Sequence, residues 1–124
     1  MAYDAARRVV VLFGGNVNPV NSGETWTWNG IEWSLAANTG PQPRFMHALA
    51  YDSTREVTVL FGGNAGINLS DTWEWNGTTW TQRVVTGPSA RYGHGMAFDV
   101  CRNVTVLYGG NDGGGETWQW NGTV

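Results

Sequence analysis

The chain has 124 residues, enough for one small domain. With seven arginines, no lysine, ten acidic residues and a net charge of −3, it predicts no basic surface for nucleic acid or an anionic membrane. The longest apolar run, Val9 to Phe13, is far shorter than the ~20 residues needed to cross a bilayer, and the first residues lack the charged and apolar regions of a signal peptide.

Three short segments recur in the same order along the whole chain, with a period of about 47 residues. The first begins at Ala2 and recurs at Ala50 and Ala97. The second ends in a glycine doublet, at Gly14-Gly15, Gly62-Gly63 and Gly109-Gly110. The third carries two tryptophans separated by one residue, at Trp26 and Trp28, Trp73 and Trp75, and Trp118 and Trp120. Such regular recurrence indicates a repeat architecture.

Each repeat predicts four short β-strands and no helix, since no segment has a helical period. In the second repeat the first strand is Met46 to Asp52, whose small residues suit an innermost strand. Val57 to Phe61 is β-branched and apolar and ends at the glycine doublet, which permits positive φ. Thr72 to Trp75 and Thr79 to Gln82 then alternate around Asn76-Gly77, the signal of a type I′ hairpin.

Turns with the pattern Asp-x-x-Arg join the first and second strands of each repeat, at Asp4 and Arg7, Asp52 and Arg55, and Asp99 and Arg102. We expect the aspartate to accept hydrogen bonds from backbone N–H groups of the turn. In the third repeat, Gly93 and Gly95 are expected within the first strand. Gly93-x-Gly95 is therefore a packing feature rather than a dinucleotide-binding motif.

Four antiparallel strands per repeat, a glycine doublet and spaced aromatics resemble the kelch repeat of β-propellers over essentially the whole chain. The resemblance also rests on aromatic pairs and on arginines that follow a proline, namely Trp28 and Trp33, Trp75 and Trp80, Arg44 and Arg91. The chain departs from the family in carrying tryptophan where kelch repeats carry tyrosine, and it lacks the Trp-Asp dipeptide of the WD40 blade. The resemblance implies an all-β propeller segment with blades at about 1–39, 44–86 and 91–124.

Three blades of four strands, less the fourth strand of the third blade, predict eleven strands. The first strand of the first blade is counted, although the chain begins part-way through it. Propellers close with about four to eight blades. To close a propeller, a segment of three blades must therefore be joined by further blades, from copies of the chain or from a longer protein. Two chains arranged head to tail would supply six blades, so we expect a homodimer that closes as a ring.

Arg44 and Arg91 are the candidate ligand-binding residues. Each ends a connection between blades and begins an innermost strand, at the mouth of the expected central channel. The kelch resemblance implies that arginines at this position can bind the carboxylates of acidic peptides, a role suited to their bidentate geometry. The alternative is that acidic residues at the starts of the third strands occupy them in ion pairs, namely Glu24, Asp71 and Glu116.

The residues with metal-binding chemistry predict no metal, no cofactor and no catalytic site. His47 and His94 are repeat-equivalent and so lie in different blades, whereas a transition-metal site needs three or four converging ligands. Cys101 falls in a turn between the first two strands, the wrong place for the copper site of oxidases with kelch propellers. The segment 111–116 lacks the ligand spacing of an EF-hand calcium loop, and a glycine-rich connection is the simpler interpretation.

The tryptophans allow two interpretations. Since they occupy fixed repeat positions, we expect those on the third strands to be mostly buried between blades or under loops. The alternative is a sugar-stacking surface, because some propellers bind glycans.

Together these features predict a non-catalytic binding or scaffold module that assembles with itself. Its ligand, an acidic peptide, a protein or a glycan, would bind at the channel mouth and at the loops 16–23, 64–70 and 111–115. The alternatives are a carbohydrate-binding propeller and the remnant of an enzyme of the galactose oxidase or sugar-epimerase type. The single cysteine cannot form an internal disulfide and leaves the cellular compartment open.

Overall fold

The computed structural model describes residues 1–111 and 114–124, and within them the chain forms β-strands joined by turns and loops, with no helix. The eleven strands are β1 (Ala2–Asp4), β2 (Val9–Phe13), β3 (Thr25–Trp28), β4 (Trp33–Ala37), β5 (Ala48–Asp52), β6 (Val57–Phe61), β7 (Thr72–Trp75), β8 (Trp80–Arg83), β9 (Gly95–Asp99), β10 (Val104–Tyr108) and β11 (Thr117–Trp120). The predicted all-β class is confirmed. Among these residues no helix has the length and apolar character needed to cross a membrane.

The strands form three antiparallel sheets, one for each repeat. Sheet 1 has the order β1-β2-β3-β4, sheet 2 the order β5-β6-β7-β8, and sheet 3, over the described residues, the order β9-β10-β11. Each sheet is a meander, because strands that are neighbours in sequence are also neighbours in space. The first strands of successive sheets contact one another, β1 with β5 and β5 with β9. The three sheets are therefore arranged side by side along these first strands.

The repeat markers occupy equivalent places in the three sheets. On each third strand the first tryptophan lies opposite a leucine of the second strand, in the pairs Trp26–Leu12, Trp73–Leu60 and Trp118–Leu107. The second tryptophan lies opposite the residue two positions before that leucine, in the pairs Trp28–Val10, Trp75–Thr58 and Trp120–Thr105. The register of the strands thus agrees with the repeat found in the sequence.

The aspartate of the Asp-x-x-Arg turn binds the backbone of that turn, as predicted. Asp52 Oδ1 accepts hydrogen bonds from the N–H groups of Thr54 (3.0 Å) and Arg55 (2.9 Å). The Arg55 side chain also donates from Nε to Asp52 Oδ2 at 2.7 Å, an ion pair that the turn pattern did not predict. The same pair of contacts recurs in the other two sheets, at Asp4 and Arg7 and at Asp99 and Arg102.

The hairpin between the third and fourth strands is not the predicted type I′ turn. Four residues, not two, separate β7 from β8. Of Asn76 and Gly77 only the glycine has a positive φ, 94°, whereas a type I′ turn requires a positive φ at both central residues. The Asn76 side chain closes the loop instead, because its Oδ1 accepts hydrogen bonds from the N–H groups of Thr78 and Thr79, both at 2.9 Å.

Three strand boundaries also differ from the prediction. β5 begins at Ala48 rather than Met46, and β9 begins at Gly95, so Gly93 lies outside the strand. The reason is local, since Met46 and Gly93 have positive φ values of 55° and 70°. The N–H group of Gly93 donates to the Met46 carbonyl at 2.8 Å, which joins the segments that lead into β5 and β9. The fourth strand of the second repeat is shifted by one residue, to Trp80–Arg83.

Apolar side chains of neighbouring sheets meet in a core. Phe13 of sheet 1 is buried together with Leu49 and Leu60 of sheet 2, and Trp73 and Trp80 pack against this cluster. Burial of large apolar side chains between the sheets is the main favourable contribution to holding them together. The contact surfaces between sheets are therefore the structural centre of the chain, and the candidate residues lie on them.

Candidate functional site

The segments that lead into β5 and β9 lie against the glycine doublets of the preceding sheets. The N–H of Gly15 donates to the carbonyl of Arg44 at 2.8 Å, and that of Gly63 to the carbonyl of Arg91 at 2.9 Å. A Cβ on Gly62 would lie 2.6 Å from the Arg91 carbonyl oxygen, so this position requires glycine for the close approach as well as for its positive φ. We call the contact between sheets 1 and 2 the first joint and that between sheets 2 and 3 the second joint.

Arg44 is fully buried at the first joint, where its guanidinium group is held on several sides. It donates to both carboxylate oxygens of Asp71, at 2.5 and 2.8 Å, in the bidentate geometry that favours arginine. It also donates to the carbonyls of Gly62 (3.0 Å) and Gln42 (3.0 Å). Burial alone would raise the pKa of Asp71, but hydrogen bonds from Arg44 and Trp73 outweigh this effect and hold that pKa below its usual value.

Arg91 repeats this arrangement at the second joint, where it is also fully buried. It donates to the carbonyls of Gly109 (3.1 Å) and Ser89 (3.1 Å), to Ser89 Oγ (2.8 Å) and to Glu116 Oε2 (3.3 Å). The side chain of Glu116 is 52 % exposed, against 20 % for Asp71. The second ion pair is therefore longer and more open to solvent than the first.

The ion pairs offered as the alternative role for both arginines are thus present in the structure. An acidic ligand at Arg44 would have to displace Asp71, and one at Arg91 would have to displace Glu116. Binding of an acidic ligand by these arginines stays a prediction. Glu24, the equivalent acid of sheet 1, accepts a hydrogen bond from Trp26 Nε1 at 2.9 Å.

The same indole-to-carboxylate bond occurs in the other two sheets and was not foreseen from the sequence. Trp73 Nε1 donates to Asp71 at 2.7 Å, and Trp118 Nε1 donates to Glu116 at 2.9 Å. The signal was present, because an acid lies two residues before the first tryptophan in every repeat. In sheets 2 and 3 the tryptophan orients the acid that binds the joint arginine. The tryptophan, the acid and the arginine of each joint therefore form one polar network.

His47 and His94 occupy equivalent places behind the glycine doublets. Each ring lies edge-on to a phenylalanine of the preceding sheet, His47 to Phe13 and His94 to Phe61, with ring centroids 5.5 Å apart in both pairs. Within residues 1–111 and 114–124, no three His, Cys, Asp or Glu side chains come together as a metal site requires. Cys101 is exposed in the turn between β9 and β10. The two histidines therefore pack the joints.

Protonation of His47 is expected to weaken the fold below neutral pH. Burial, the positive amino terminus and Arg44 lower the pKa of His47 to about 4, against about 6.5 in an unfolded chain. Between these values the unfolded state binds more protons than the folded state. The free energy of unfolding should therefore fall as the pH is lowered from about 6.5 to about 4, by up to about 3 kcal/mol.

Urea denaturation at several pH values measures this dependence, with His47→Gln as the matched control. Between about pH 7 and about pH 5 the variant should lose most of the pH dependence and keep the part due to His94, whose pKa burial also lowers. A wild-type stability that is the same at about pH 7 and about pH 5 would contradict the role assigned to His47.

Trp80 of sheet 2 packs across the first joint against sheet 1. Its indole lies edge-on to Phe13, with ring centroids 5.3 Å apart, and its Nε1 donates to Thr25 Oγ1 at 2.8 Å. Gly40 lies over the ring so closely that a Cβ there would be 2.5 Å from Trp80 Cδ1. On its own sheet, Trp80 packs against Trp75 with centroids 5.5 Å apart.

A third contact links the Asp-x-x-Arg turn of one sheet to the hairpin of the next. Arg7 donates to the carbonyls of Glu56 (3.1 Å) and Asn76, and its guanidinium occupies the space that a Cβ on Gly77 would need. At the second joint Arg55 lies against Gly122 in the same way. The recurring Asn-Gly pairs predict a turn from sequence, but they also provide the space in which the arginine of the preceding sheet lies.

The outer faces of sheets 1 and 3 carry the residues that are equivalent to those of the first joint. Trp33, the counterpart of Trp80, is 45 % exposed, and Tyr108, the counterpart of Phe13, is 60 % exposed. Of the third-strand tryptophans, the single chain fully buries Trp75 alone, whereas Trp118 is exposed and the others are half-buried. Burial of most of them was expected between blades, and in one chain the outermost sheets are each covered on one side only.

Alanine at equivalent glycines of the doublets should have unequal effects. Gly62→Ala brings a Cβ to 2.6 Å from the Arg91 carbonyl, whereas a Cβ on Gly109 meets no described atom within 4 Å. Both positions have positive φ, 60° and 74°, so both variants carry the same backbone cost of about 1 kcal/mol. We expect Gly62→Ala to lower the free energy of unfolding by at least about 2 kcal/mol and Gly109→Ala by about 1 kcal/mol, measured by urea denaturation. Equal losses would mean that the joint tolerates the extra methyl group.

A cleft of about 480 Å³ opens beside the Arg44–Asp71 pair. Its lining residues include 67–70 of the predicted binding loop 64–70, together with Gln42, Trp73 and Gln82. The cleft thus has both polar and apolar lining residues. The third predicted binding loop, 111–115, includes residues 112 and 113, which lie outside the described part of the chain.

Compared with known proteins, the chain matches no protein-family model and no curated protein. Its function is therefore inferred from its own repeats and from the contacts that they make.

Proposed function

We propose that the chain is a kelch-like β-propeller segment that acts as a non-catalytic scaffold and assembles head to tail with a second copy of itself. One observation carries the proposal: the two outer faces are unlike each other and complementary. The sheet 1 face presents Trp33, as sheet 2 presents Trp80 to the first joint. The sheet 3 face presents Tyr108 in the place of Phe13, which receives Trp80. The contact between Phe13 and Trp80 within the chain would thus be repeated between copies by Tyr108 and Trp33.

Repeat equivalence supplies two further contacts for such a junction. Arg102 is exposed on sheet 3 and corresponds to Arg7, so it would reach the hairpin of sheet 1 at Gly30. A Cβ on Gly30 meets no atom within 4 Å among the described residues, whereas the equivalent Gly77 is covered by Arg7. Trp28 would donate to Gln119, as Trp120 donates to Glu74 at 2.9 Å across the second joint.

Two copies related by a two-fold rotation make two such junctions and close into six sheets, within the range of propeller rings.

As a scaffold, the ring would present the loops between its second and third strands to a ligand. These loops are 16–23, 64–70 and 111–115, and the cleft beside loop 64–70 supports a binding role for this side of the molecule. The ligand classes that fit are an acidic peptide, a protein surface or a glycan. The buried arginines support the scaffold by fixing the joints, because each binds an acid and two carbonyls.

Sedimentation velocity of two matched variants tests the proposal. Trp33→Ala removes the central side chain of the junction and should convert the dimer into a monomer of unchanged secondary structure. Ile31→Ala, in the same hairpin, removes an exposed side chain that corresponds to Thr78 and should leave the dimer intact. An association that Trp33→Ala leaves unchanged would show that copies meet through another surface.

A carbohydrate-binding function is the second candidate, and the cleft beside Asp71 favours it. The lining residues include a tryptophan, an aspartate and three residues with amide side chains, residue types that can stack on sugar rings and form hydrogen bonds with sugar hydroxyls. Titration with neutral oligosaccharides, followed by tryptophan fluorescence, tests this function. A response that is lost in Gln82→Ala but kept in Gln119→Ala would place the sugar in the cleft.

A further inference from the structure

The cleft beside Arg44 and Asp71 combines one paired charge with neutral residues. Arg44 is fully buried, and both carboxylate oxygens of Asp71 accept hydrogen bonds from it. The other lining residues are all neutral. The cleft therefore favours an uncharged ligand, and its volume of about 480 Å³ lies within the range of roughly 300–1,000 Å³ found for small-ligand sites.

Several polar side chains of the cleft are available to a ligand. Within the described residues, the exposed side chains of Gln42, Ser70 and Gln82 make no hydrogen bond to the protein. Asn68 uses only its Oδ1, which accepts from Asn64 Nδ2 at 2.9 Å. Amides and hydroxyls both donate and accept hydrogen bonds. They therefore suit a ligand whose own groups do the same, such as hydroxyls or amides.

Two of these polar residues are particular to sheet 2 and are not required by the repeat. β8 carries Gln82 opposite Trp73, whereas β4 carries Leu35 at the equivalent place. Ser70 corresponds in the same way to Gly23. Since a leucine and a glycine fulfil these positions in the fold of sheet 1, Gln82 and Ser70 are free to serve in binding.

The loop 64–70 and the third strand add apolar residues to the cleft. Ile67 is 68 % exposed and Leu69 is half-buried. Trp73 packs against the apolar cluster of the first joint, and its hydrogen bond to Asp71 fixes the orientation of the ring. A ligand that carries a small apolar group beside its hydrogen-bonding groups would use both kinds of residue.

The loop that carries Ile67 is held in place by its own hydrogen bonds. The N–H of Ala65 donates to the Ile67 carbonyl at 3.0 Å, and the N–H of Leu69 donates to the Gly63 carbonyl at 2.9 Å. The N–H of Asn64 donates to the carbonyl of residue 45 at 2.9 Å, which ties the loop to the segment that contains Arg44. A preformed loop loses little conformational freedom on binding, and this favours affinity.

We propose that this cleft binds a neutral N-acetylated sugar, an assignment that rests on the carbohydrate-binding function proposed above and names its ligand. An acetamido group carries a methyl group together with an amide N–H and carbonyl. The methyl group packs against Ile67, the amide exchanges hydrogen bonds with the unpaired amide side chains, and the sugar ring lies on Trp73. Arg44 is fully buried and does not contact the sugar.

Two disaccharides with the same linkage are the probes. N,N′-diacetylchitobiose carries an acetamido group on each ring where cellobiose carries a hydroxyl. We expect saturable binding of diacetylchitobiose by isothermal titration calorimetry, and binding of cellobiose that is about tenfold weaker because the buried methyl group and the amide are missing. Saturation-transfer NMR should give its strongest signal at the acetamido methyl protons. The affinity should not change with salt, since the ligand is uncharged.

Ile67→Ser and Val20→Ser form a matched pair of protein variants. The two residues lie in equivalent loops and are 68 % and 61 % exposed, so both variants should fold as the wild type does. Only Ile67 lines the cleft. Ile67→Ser should weaken the binding of diacetylchitobiose about tenfold and change that of cellobiose little, whereas Val20→Ser should change neither.

Gln82→Leu places in sheet 2 the residue that sheet 1 has at this position, Leu35, so the fold should tolerate it. It removes one hydrogen-bonding side chain from the cleft and should weaken the binding of both disaccharides. Unchanged binding of both disaccharides by Gln82→Leu would contradict the placement of the sugar.

Two further results would overturn the proposal and leave carbohydrate binding standing. They are equal affinities for the two disaccharides, and equal losses in Ile67→Ser and Val20→Ser. No binding of either disaccharide at millimolar concentrations would overturn it together with the carbohydrate-binding function. The particle mass in the same samples reports on the scaffold separately. A monomer that binds diacetylchitobiose would contradict the ring and support the sugar site.

Discussion

Trp80→Ala is expected to lower the free energy of unfolding by about 3–5 kcal/mol, the range found for large aromatic residues replaced by alanine in cores. The substitution removes the edge-on contact with Phe13 and leaves the Thr25 hydroxyl without its indole donor. It also leaves a cavity beside Gly40, because the backbone at Gly40 lies directly against the ring. Urea denaturation followed by circular dichroism measures the loss.

Trp80→Phe is the matched control, because it keeps a ring against Phe13 and removes the Nε1 hydrogen bond. Its expected cost is about 1–2 kcal/mol, from one lost hydrogen bond and a small cavity. If the alanine and phenylalanine variants lost the same stability, the contribution of Trp80 would come from its hydrogen bond, and the packing account of the first joint would be wrong.

Arg44→Ala is expected to be as damaging, with a loss of at least about 3 kcal/mol, because removing one partner leaves a partly buried carboxylate without its counter-charge. The Asp71 side chain is only 20 % exposed, and the carbonyls of Gly62 and Gln42 lose their donor as well. The pKa of Asp71 should return upward in the variant, because the hydrogen bonds that lower it come chiefly from Arg44.

Asp71→Asn and Glu116→Gln provide the comparison between the two joints. Asp71 binds its arginine in a bidentate pair, whereas Glu116 accepts a hydrogen bond of 3.3 Å from its arginine at an exposed position. The first substitution should clearly lower the urea midpoint and the second should change it little, since exposed ion pairs contribute little to stability. A larger loss of stability in Glu116→Gln than in Asp71→Asn would contradict the assignment of Arg44–Asp71 as the stronger ion pair.

The sequence predicted the strands well where one repeat could be checked against the others. Residue patterns such as the β-branched run of β6 that ends at a glycine doublet occur three times, so each repeat supports the same assignment for its equivalents. The Asp-x-x-Arg turns were predictable for the same reason, because the preference of aspartate for turn N–H groups is local.

The type I′ hairpin was mispredicted because the same Asn-Gly pair fits two loops of different length. The choice depends on where β7 and β8 leave their ladder, and the side chain of Asn76 stabilises the longer loop by accepting two backbone hydrogen bonds. Such side-chain bonds compete with the turn that backbone preference alone would favour. The Asn-Gly dipeptide alone therefore does not determine which of the two loops forms.

The joints could be predicted only in part, because they depend on how sheets meet. The acids at the starts of the third strands suggested partners for Arg44 and Arg91, and these pairs are present. The contact of Arg7 with the next hairpin joins residues of two different sheets. An apolar groove between sheets 2 and 3 was also not predicted, since it depends on how the side chains of the two sheets pack.

The head-to-tail assembly is tested most directly by the mass of the wild-type particle in solution. Multi-angle light scattering across micromolar concentrations should give about twice the chain mass of 13.5 kDa, because two complementary junctions close the ring and stop further growth. A monodisperse particle of 13.5 kDa over the whole concentration range would contradict the account.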